Sequence, residues 1–421
     1  MLTPTPTAPD TTLRRFAGVV GRKRWSARLA EIRAGCVPGH AGRALMRHHA
    51  LELTLDRLMR TGTKPAAGTE KLIADLAAGI GALSAVLAPA GRERLQALVA
   101  QALSGPNTLV PLLHVMRCAR VQRERGFEVE FAGLADGASF DLLLRRDGRE
   151  MEVVCETVSA EEGRDVHRNA WSYLVDRVDP DLQNWLAAHP GRYLLKMTLP
   201  QGLKYDGLRE QMAQGGTAGL AALQGRITRL LSESRRADCD EAAVLRLEPL
   251  LLAGAQASEL GLMRDLRREF GHEAHLAVTA AGRGVFVMAA RAAREDDVAE
   301  AMQRRMALAA PSRLTGTRPG ILAMFIEDTD QMEWRVLRDQ LQLEGSARQF
   351  LTRPQARHVV AVTCVSRLEM LGGTPPHAAA GGELQFRSPA HPDAKSPALA
   401  PALVPSAASM APLPVLARMD A

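Results

Sequence analysis

Lysine is nearly absent from this basic chain. Of 53 basic residues only six are Lys (Lys23, Lys64, Lys71, Lys196, Lys204, Lys395), and none lies between Lys71 and Lys196. Chemistry that needs a lysine in that interval is therefore excluded there. Cysteine is scarce too: five residues, Cys36, Cys118, Cys155, Cys239 and Cys364, lie far apart with no CxxC pair. That spacing speaks against a disulfide framework or a zinc module and fits a reducing, cytoplasmic setting. Aromatics make up 4% of the chain, so the core must be built from Leu, Val, Ala and Met. No run of about 18 uncharged apolar residues occurs, which predicts no membrane span, and the first residues, MLTPTPTAPDTTLRR, lack the apolar stretch of a signal peptide. There is no GxxxxGK[ST] loop and no GxGxxG after a strand, so nucleotide-binding folds gain no support.

What is present is a 421-residue chain, 46% hydrophobic, long enough for two or three domains. Its net charge of +6 and pI near 9.3 favour polyanionic partners such as DNA or another nucleic acid. The cations are almost all Arg, suited to bidentate phosphate contact, although an Arg- and Ala-rich composition is also what a GC-rich genome produces. Residues Arg14–Arg28 hold six Arg or Lys with Trp25 interleaved. This segment is either a solvated helix face or a surface for a nucleic-acid backbone. His40, His48 and His49, with Cys36, match no common metal-ligand spacing and read as a polar helix face.

Residues 1–12 are Pro- and Thr-rich and are expected to be disordered. Residues 13–105 read as a helical region: Ala44–Met59, Glu70–Leu87 and Arg92–Leu103 repeat apolar residues at helical spacing. An α/β domain is predicted over 106–371. It opens with a helix over Asn107–Arg125, with Pro111 in its first turn and Gly126 as its stop. Strands follow at Phe127–Phe131, Ser139–Leu144 and Met151–Val158, the last two joined by an Asp147-Gly148 turn. Further strands are expected at Tyr193–Leu199, Ala242–Leu247, Ala274–Thr279, Gly284–Ala289, Ile321–Ile326 and Val359–Val365. Helices are expected at Val166–Ala188 (broken or kinked at Pro180), Thr217–Arg236, Glu259–Phe270, Asp297–Leu308 and Gln331–Leu341. The alternation predicts a mixed β-sheet flanked by helices. Residues 372–421, rich in Pro, Ala, Gly and Ser, are expected to form a disordered tail.

The hairpin concentrates the candidate chemistry. Asp141 sits near the start of one strand, while Glu152, Val154 and Glu156 alternate onto one face of the next. Asp141 with Glu152 and Glu156 makes an oxygen-rich set suited to Mg²⁺ or Mn²⁺, which can polarise a phosphodiester and activate water. Equally, these carboxylates could line a solvated face. Cys155 alternates to the opposite side and reads as a core residue.

The order helix, GFEVEF, FDLLL, MEVVCETVS resembles the core of the PD-(D/E)XK nuclease superfamily, with its restriction-endonuclease-like fold. It is especially similar to bacterial members with Glu-Cys-Lys-Thr on the third strand followed by Gly-Arg and His-Arg. Here that stretch is Val154-Cys155-Glu156-Thr157, then Gly163-Arg164 and His167-Arg168. The match covers residues 107–170. Thr315–Ile326, preceded by Gln303 on a helix, is similar to a later strand of such proteins. The resemblance implies Asp141 as the metal-binding acid, Glu156 at the lysine position and Val154 at the second acid. Glu152 is a stand-in one strand repeat away, Arg164 and Arg168 are phosphate contacts, and Glu124 or His114 is the helix group. Two functions follow from it: a Mg²⁺-dependent nuclease with an altered site, or a catalytically inactive binding module that keeps the fold. A structural α/β protein assembled through its N-terminal helices is a third.

Overall fold

A computed structural model describes residues 11–62, 65, 68–204, 216–250, 259–271, 273–366 and 383–403. Along the described chain the first helices are α1 (Thr11–Val20), α2 (Arg22–Gly35), α3 (His40–His48), α4 (Ala50–Thr61), α5 (Thr69–Val86), α6 (Pro89–Ala102) and α7 (Val110–Glu124). The expected helix at Ala44–Met59 is thus two helices meeting at His49. Next come β1 (Glu128–Glu130), α8 (Ala132–Ala135), β2 (Leu142–Arg146), β3 (Arg149–Ser159), α9 (Arg168–Ala188), β4 (Arg192–Leu199), α10 (Gly216–Ser232), β5 (Ala237–Cys239) and β6 (Val244–Pro249). The remainder is α11 (Glu259–Phe270), β7 (His275–Ala281), β8 (Gly284–Ala292), α12 (Val298–Arg313), β9 (Gly320–Glu327), α13 (Gln331–Asp339), α14 (Gln342–Leu351), β10 (Val359–Ser366) and β11 (Leu384–Arg387). Helix α9 runs through Pro180 as one element rather than breaking there. No helix among the described residues is long and apolar enough to cross a membrane.

The architecture is α/β with two mixed sheets, and the chain divides into two compact units. The first holds the chain up to Ile32, His48–Ala160 and everything from Ala299 onward; the second holds Arg33–Arg47 and Glu161–Val298. The stretch 106–371, expected as one α/β domain, contributes to both units, and most of the second lies between β3 and α12. Local periodicity cannot show this, because a strand of one sheet has the same pattern as a strand of another.

In the first unit the sheet order is β1-β2-β3-β9-β10-β11. β3, β9 and β10 run parallel, and antiparallel strands flank them on both sides. Every residue of β9 and β10 is buried, as expected of central parallel strands covered on both faces. Met151, Val153 and Cys155 of β3 face a core shared with Phe16 of α1, Ile80 of α5 and Leu113 of α7. The alternate residues, Glu152, Val154 and Glu156, take the other face. Helix α7 is anchored at its start by Glu52, which is fully buried and accepts from the Leu109 amide at 2.8 Å. Burial pushes the Glu52 carboxyl up, but the His49 imidazole 3.8 Å away and the hydrogen bond from the Leu109 amide outweigh it and leave it below the usual carboxylate range.

Part of the expected tail is ordered. Strand β11 adds to the β10 edge, with Phe386 opposite Val362, and Glu383 pairs with Arg117 and Arg125 at 3.7 Å each. Four residues cannot announce a strand by periodicity; the β10 edge supplies the hydrogen bonds that fix them. Thr11 and Thr12 likewise open α1 instead of belonging to a structureless start. Residues 1–10, 372–382 and 404–421, where disorder is expected, lie outside the described residues.

In the second unit the sheet order is β5-β6-β4-β8-β7, with only β4 and β8 parallel. Its core gathers Trp171, Val175 and Leu182 of α9, Ile227 of α10 and Phe286 of β8.

Candidate functional site

Strand β2 begins at Leu142, so Asp141 stands just before it rather than within it. Its amide still bonds to the Val153 carbonyl at 3.0 Å. Since Leu142 pairs with Val153, continuing the register by one sets Asp141 opposite Val154. Opposed residues of an antiparallel pair share a face, so Asp141 joins the face of Glu152, Val154 and Glu156. The Cys155 amide donates to Asp141 Oδ2 at 2.7 Å, fixing the carboxylate against β3.

Asp141 and Glu156 do come together, but around a side chain. Arg313, the last residue of α12, inserts its guanidinium between them. Its Nη2 donates to Asp141 Oδ1 at 2.8 Å and its Nη1 to Glu156 Oε1 at 2.7 Å. Nη1 also meets the Cys155 carbonyl at 3.2 Å, and Nε donates to the Ser139 carbonyl at 3.0 Å. Ser139 reciprocates, its hydroxyl donating to the Arg313 carbonyl at 2.7 Å. The planar fork of Arg matches two carboxylates better than any other cationic side chain. Side-chain exposures of 29% for Arg313, 21% for Asp141 and 16% for Glu156 leave the cluster at the edge of solvent. Burial pushes the Asp141 carboxyl up, against the pull of Arg313 and the Cys155 amide. Burial works against the Arg313 cation as well, but Asp141 and Glu156 more than compensate and raise it.

Glu152 serves elsewhere. It is fully buried and accepts from the Thr315 amide at 2.9 Å and from the Thr315 hydroxyl, with Arg318 Nη1 at 3.5 Å. It pins the 315–319 segment that leads into β9, where Pro319 in turn accepts from the Glu152 amide at 2.9 Å. Both of its oxygens are turned to that segment rather than to Asp141. Arg164 and Arg168 belong to the second unit. Arg164 is 3% exposed and pairs with Glu161 and with Asp296, the latter at 3.4 Å. Its buried, paired guanidinium is not presented to a phosphate. Arg168 starts α9 half-buried, its amide held by Glu161 at 2.9 Å.

Arg313 is the residue the sequence did not offer. It is one Arg among many, 157 residues after Glu156; the only nearby signal is that it stands two residues before the TGTRPG segment. The opposite face of β3 carries a second cluster. His114 and Cys118 of α7 bring their ligand atoms and that of Cys155 within 4.8 Å of one another, all buried. His114 is therefore a core residue against Ala323, not a member of the Asp141 face. Cys155 is likewise buried, as its alternation predicts.

Among the basic residues of Arg14–Arg28, Arg14, Arg15, Arg22, Lys23 and Arg24 are exposed and pair with no acid among the described residues. Trp25 is buried on Phe16 (centroids 6.1 Å apart), which removes it as a stacking platform. Arg28 is buried too, bound to Glu31 and to the Asn107 carbonyl at 2.7 Å each.

No family model matches this chain, and neither a curated protein nor a solved structure is found similar to it.

Proposed function

We propose that this chain is a catalytically inactive, nucleic-acid-contacting module related in plan to the PD-(D/E)XK nucleases. The reading rests on Arg313, whose guanidinium sits between Asp141 and Glu156, where a nuclease of that plan would hold Mg²⁺ or Mn²⁺. A fixed cation offsets part of the charge of the two acids, and a divalent ion would have to displace four hydrogen bonds to enter. Arg remains protonated, so it cannot act as a base, and Glu156 at the lysine position cannot offset charge developing on phosphate. Glu152, engaged by Thr315, does not complete a metal set. The nucleic-acid part is supported by the net charge of +6 and by the exposed Arg14, Arg15, Arg22, Lys23 and Arg24 of α1 and α2.

The test uses linear, circular and single-stranded DNA with Mg²⁺ or Mn²⁺. The expected result is no cleavage, together with binding that weakens steeply as salt rises. Neutralising Arg22, Lys23 and Arg24 together should lower the slope of log K against log salt by up to about 0.9 for each phosphate these side chains neutralise. Metal-dependent cleavage that disappears in Asp141→Ala would overturn the inactive reading. Absence of binding at low salt would remove the nucleic-acid reading.

A further inference from the structure

Among the described residues, β1 and β11 form the edges of the first sheet and β5 and β7 those of the second. A sheet edge offers a row of unpaired backbone groups, and proteins keep other chains off it with short strands, charge or a covering segment. Three of these edges follow that rule. β1 is three residues long with two glutamates, and β5 is three residues long with Asp238 at its centre. β11 has four residues, and its Gln385 and Arg387 side chains donate to the Ala402 and Leu403 carbonyls at 2.7 and 2.5 Å. β7 does not follow it. Its seven residues, HLAVTAA, include no proline and no Asp, Glu, Lys or Arg. The register shows which of its groups face outward. The Val285 amide of β8 donates to the Gly191 carbonyl, on the β4 side, at 2.9 Å. Backbone groups alternate in direction along a strand, so Phe286, Met288 and Ala290 turn theirs to β7, where they oppose Thr279, Ala277 and His275. Leu276, Val278 and Ala280 therefore turn amide and carbonyl away from the sheet. Among the described residues no partner meets those groups. The strand is also held firmly: the Thr279 hydroxyl donates to Asp179 of α9 at 2.6 Å, and Leu276 packs with Leu266 of α11 on the other face.

We propose that β7 is the seam of a homodimer, in which two copies of this chain pair their β7 strands antiparallel about a twofold axis at Val278. The outward groups are symmetric about that residue, so the strand is its own partner. Val278 then opposes Val278 of the second copy, and Leu276 opposes its Ala280, each pair exchanging amide and carbonyl bonds. Between them Ala277 opposes Thr279, where side chains approach most closely and small residues fit. The axis also sets the charges. Glu273 precedes Val278 by five residues and Arg283, exposed in the β7–β8 turn, follows it by five. Each Glu273 therefore meets the turn that carries Arg283 of the second copy, and two opposite-charge pairs flank an apolar seam. An unrelated neutral strand would gain the same backbone bonds without those end pairs, which is why the occupant is a second copy. A twofold contact of this kind closes after two chains and does not propagate into a fibre. A strand-to-strand join buries little area for a specific interface, so the affinity is micromolar rather than nanomolar.

The experiment is sedimentation velocity on the full-length chain, freed of nucleic acid, at loading concentrations from about 1 to 200 µM, which bracket a micromolar Kd. The expected result is monomer at the low end and dimer at the high end. Ala280→Lys, which sets a charge at an exposed position against Leu276 of the second copy, should weaken association about tenfold. Arg283→Glu should weaken it about threefold, and adding Glu273→Arg to that variant should restore the wild-type Kd. Hydrogen exchange of wild type gives a reading that survives a variant that fails to fold. The Leu276, Val278 and Ala280 amides should exchange more slowly as concentration rises, while those of β5 stay unchanged. A wild type still monomeric at about 200 µM, or a dimer indifferent to Ala280→Lys, overturns the proposal. So does a double charge reversal no tighter than Arg283→Glu alone, or a dimer in which exchange at those three amides does not respond to concentration.

Discussion

Replacing Arg313 with alanine removes the cation that holds Asp141 and Glu156 together and leaves two carboxylates facing each other. The side chain makes four hydrogen bonds, two of them to carboxylates. A fully buried ion pair broken on one side costs about 3–5 kcal/mol, and an exposed pair about 1 or less. The exposures of 16% and 21% on the acids place this cluster between those limits, because water can reach the abandoned oxygens. The expected loss is about 2 kcal/mol, a fall in Tm of roughly 4–8 °C for a unit of this size. Removing Arg313 also makes room for what the proposed ancestry implies. Mg²⁺ should then bind Arg313→Ala at one site in a calorimetric titration and raise its Tm, with about 1.4 kcal/mol recovered at roughly ten times the Kd. Wild type should show neither effect. An Arg313→Ala protein that melts with wild type, or one whose Tm rises with Mg²⁺ no more than that of wild type, would refute the idea that this guanidinium fills a cation position.

Other outcomes follow from the same geometry. Glu152→Ala should destabilise by about 2 kcal/mol by removing the charged acceptor of the Thr315 amide and hydroxyl, and it should do so equally with and without Mg²⁺ in thermal melts. Arg164→Ala should lower Tm through the uncompensated Glu161 and Asp296, yet leave the salt dependence of nucleic-acid binding unchanged, in contrast to the α1–α2 neutralisations. Glu52 has a folded-state pKa below its ordinary value, so its stabilisation is complete above about pH 4.5 and is lost as pH falls through the lowered value. Glu52→Gln should therefore narrow its deficit relative to wild type as melts are moved from pH 6 to below pH 4.5. A deficit that stays constant across that range would contradict the assignment.

The hairpin was legible because its signals are local. Alternation placed Glu152, Val154 and Glu156 on one face and Cys155 on the other, and Asp147-Gly148 marked the turn, where Asp147 does adopt a left-handed φ of 51°. Most expected strands and helices lie within a few residues of those observed, and α11 matches end to end. What escaped is non-local. Arg313 reaches the acids because α12 ends beside them, a fact of packing that no spacing encodes. The opposite fates of Arg164 and the α1–α2 cations are a matter of which charges find partners, and composition counts both alike. Glu152 and Glu156 share a face and a residue type, yet one is consumed by Thr315 and the other by Arg313.

The inserted second unit also has a kinetic meaning. β3 pairs in parallel with β9, Glu152 opposite Gly320, so the centre of the six-stranded sheet joins segments separated by Glu161–Val298, the larger part of that unit. Loop-closure entropy rises only slowly with length, about 0.6 kcal/mol per doubling, but long-range parallel pairing is slow to form. During synthesis β3 must wait, with one edge unpaired, until β9 has been made, while the β4–β8 pairing of the second unit is already available. An open strand edge is a template for any other chain that meets it. A ribosome that stalls after Val298 would therefore leave β3 as the most exposed aggregation hazard in the first unit, and the rate at which residues 299–327 follow should set the yield of the intact fold.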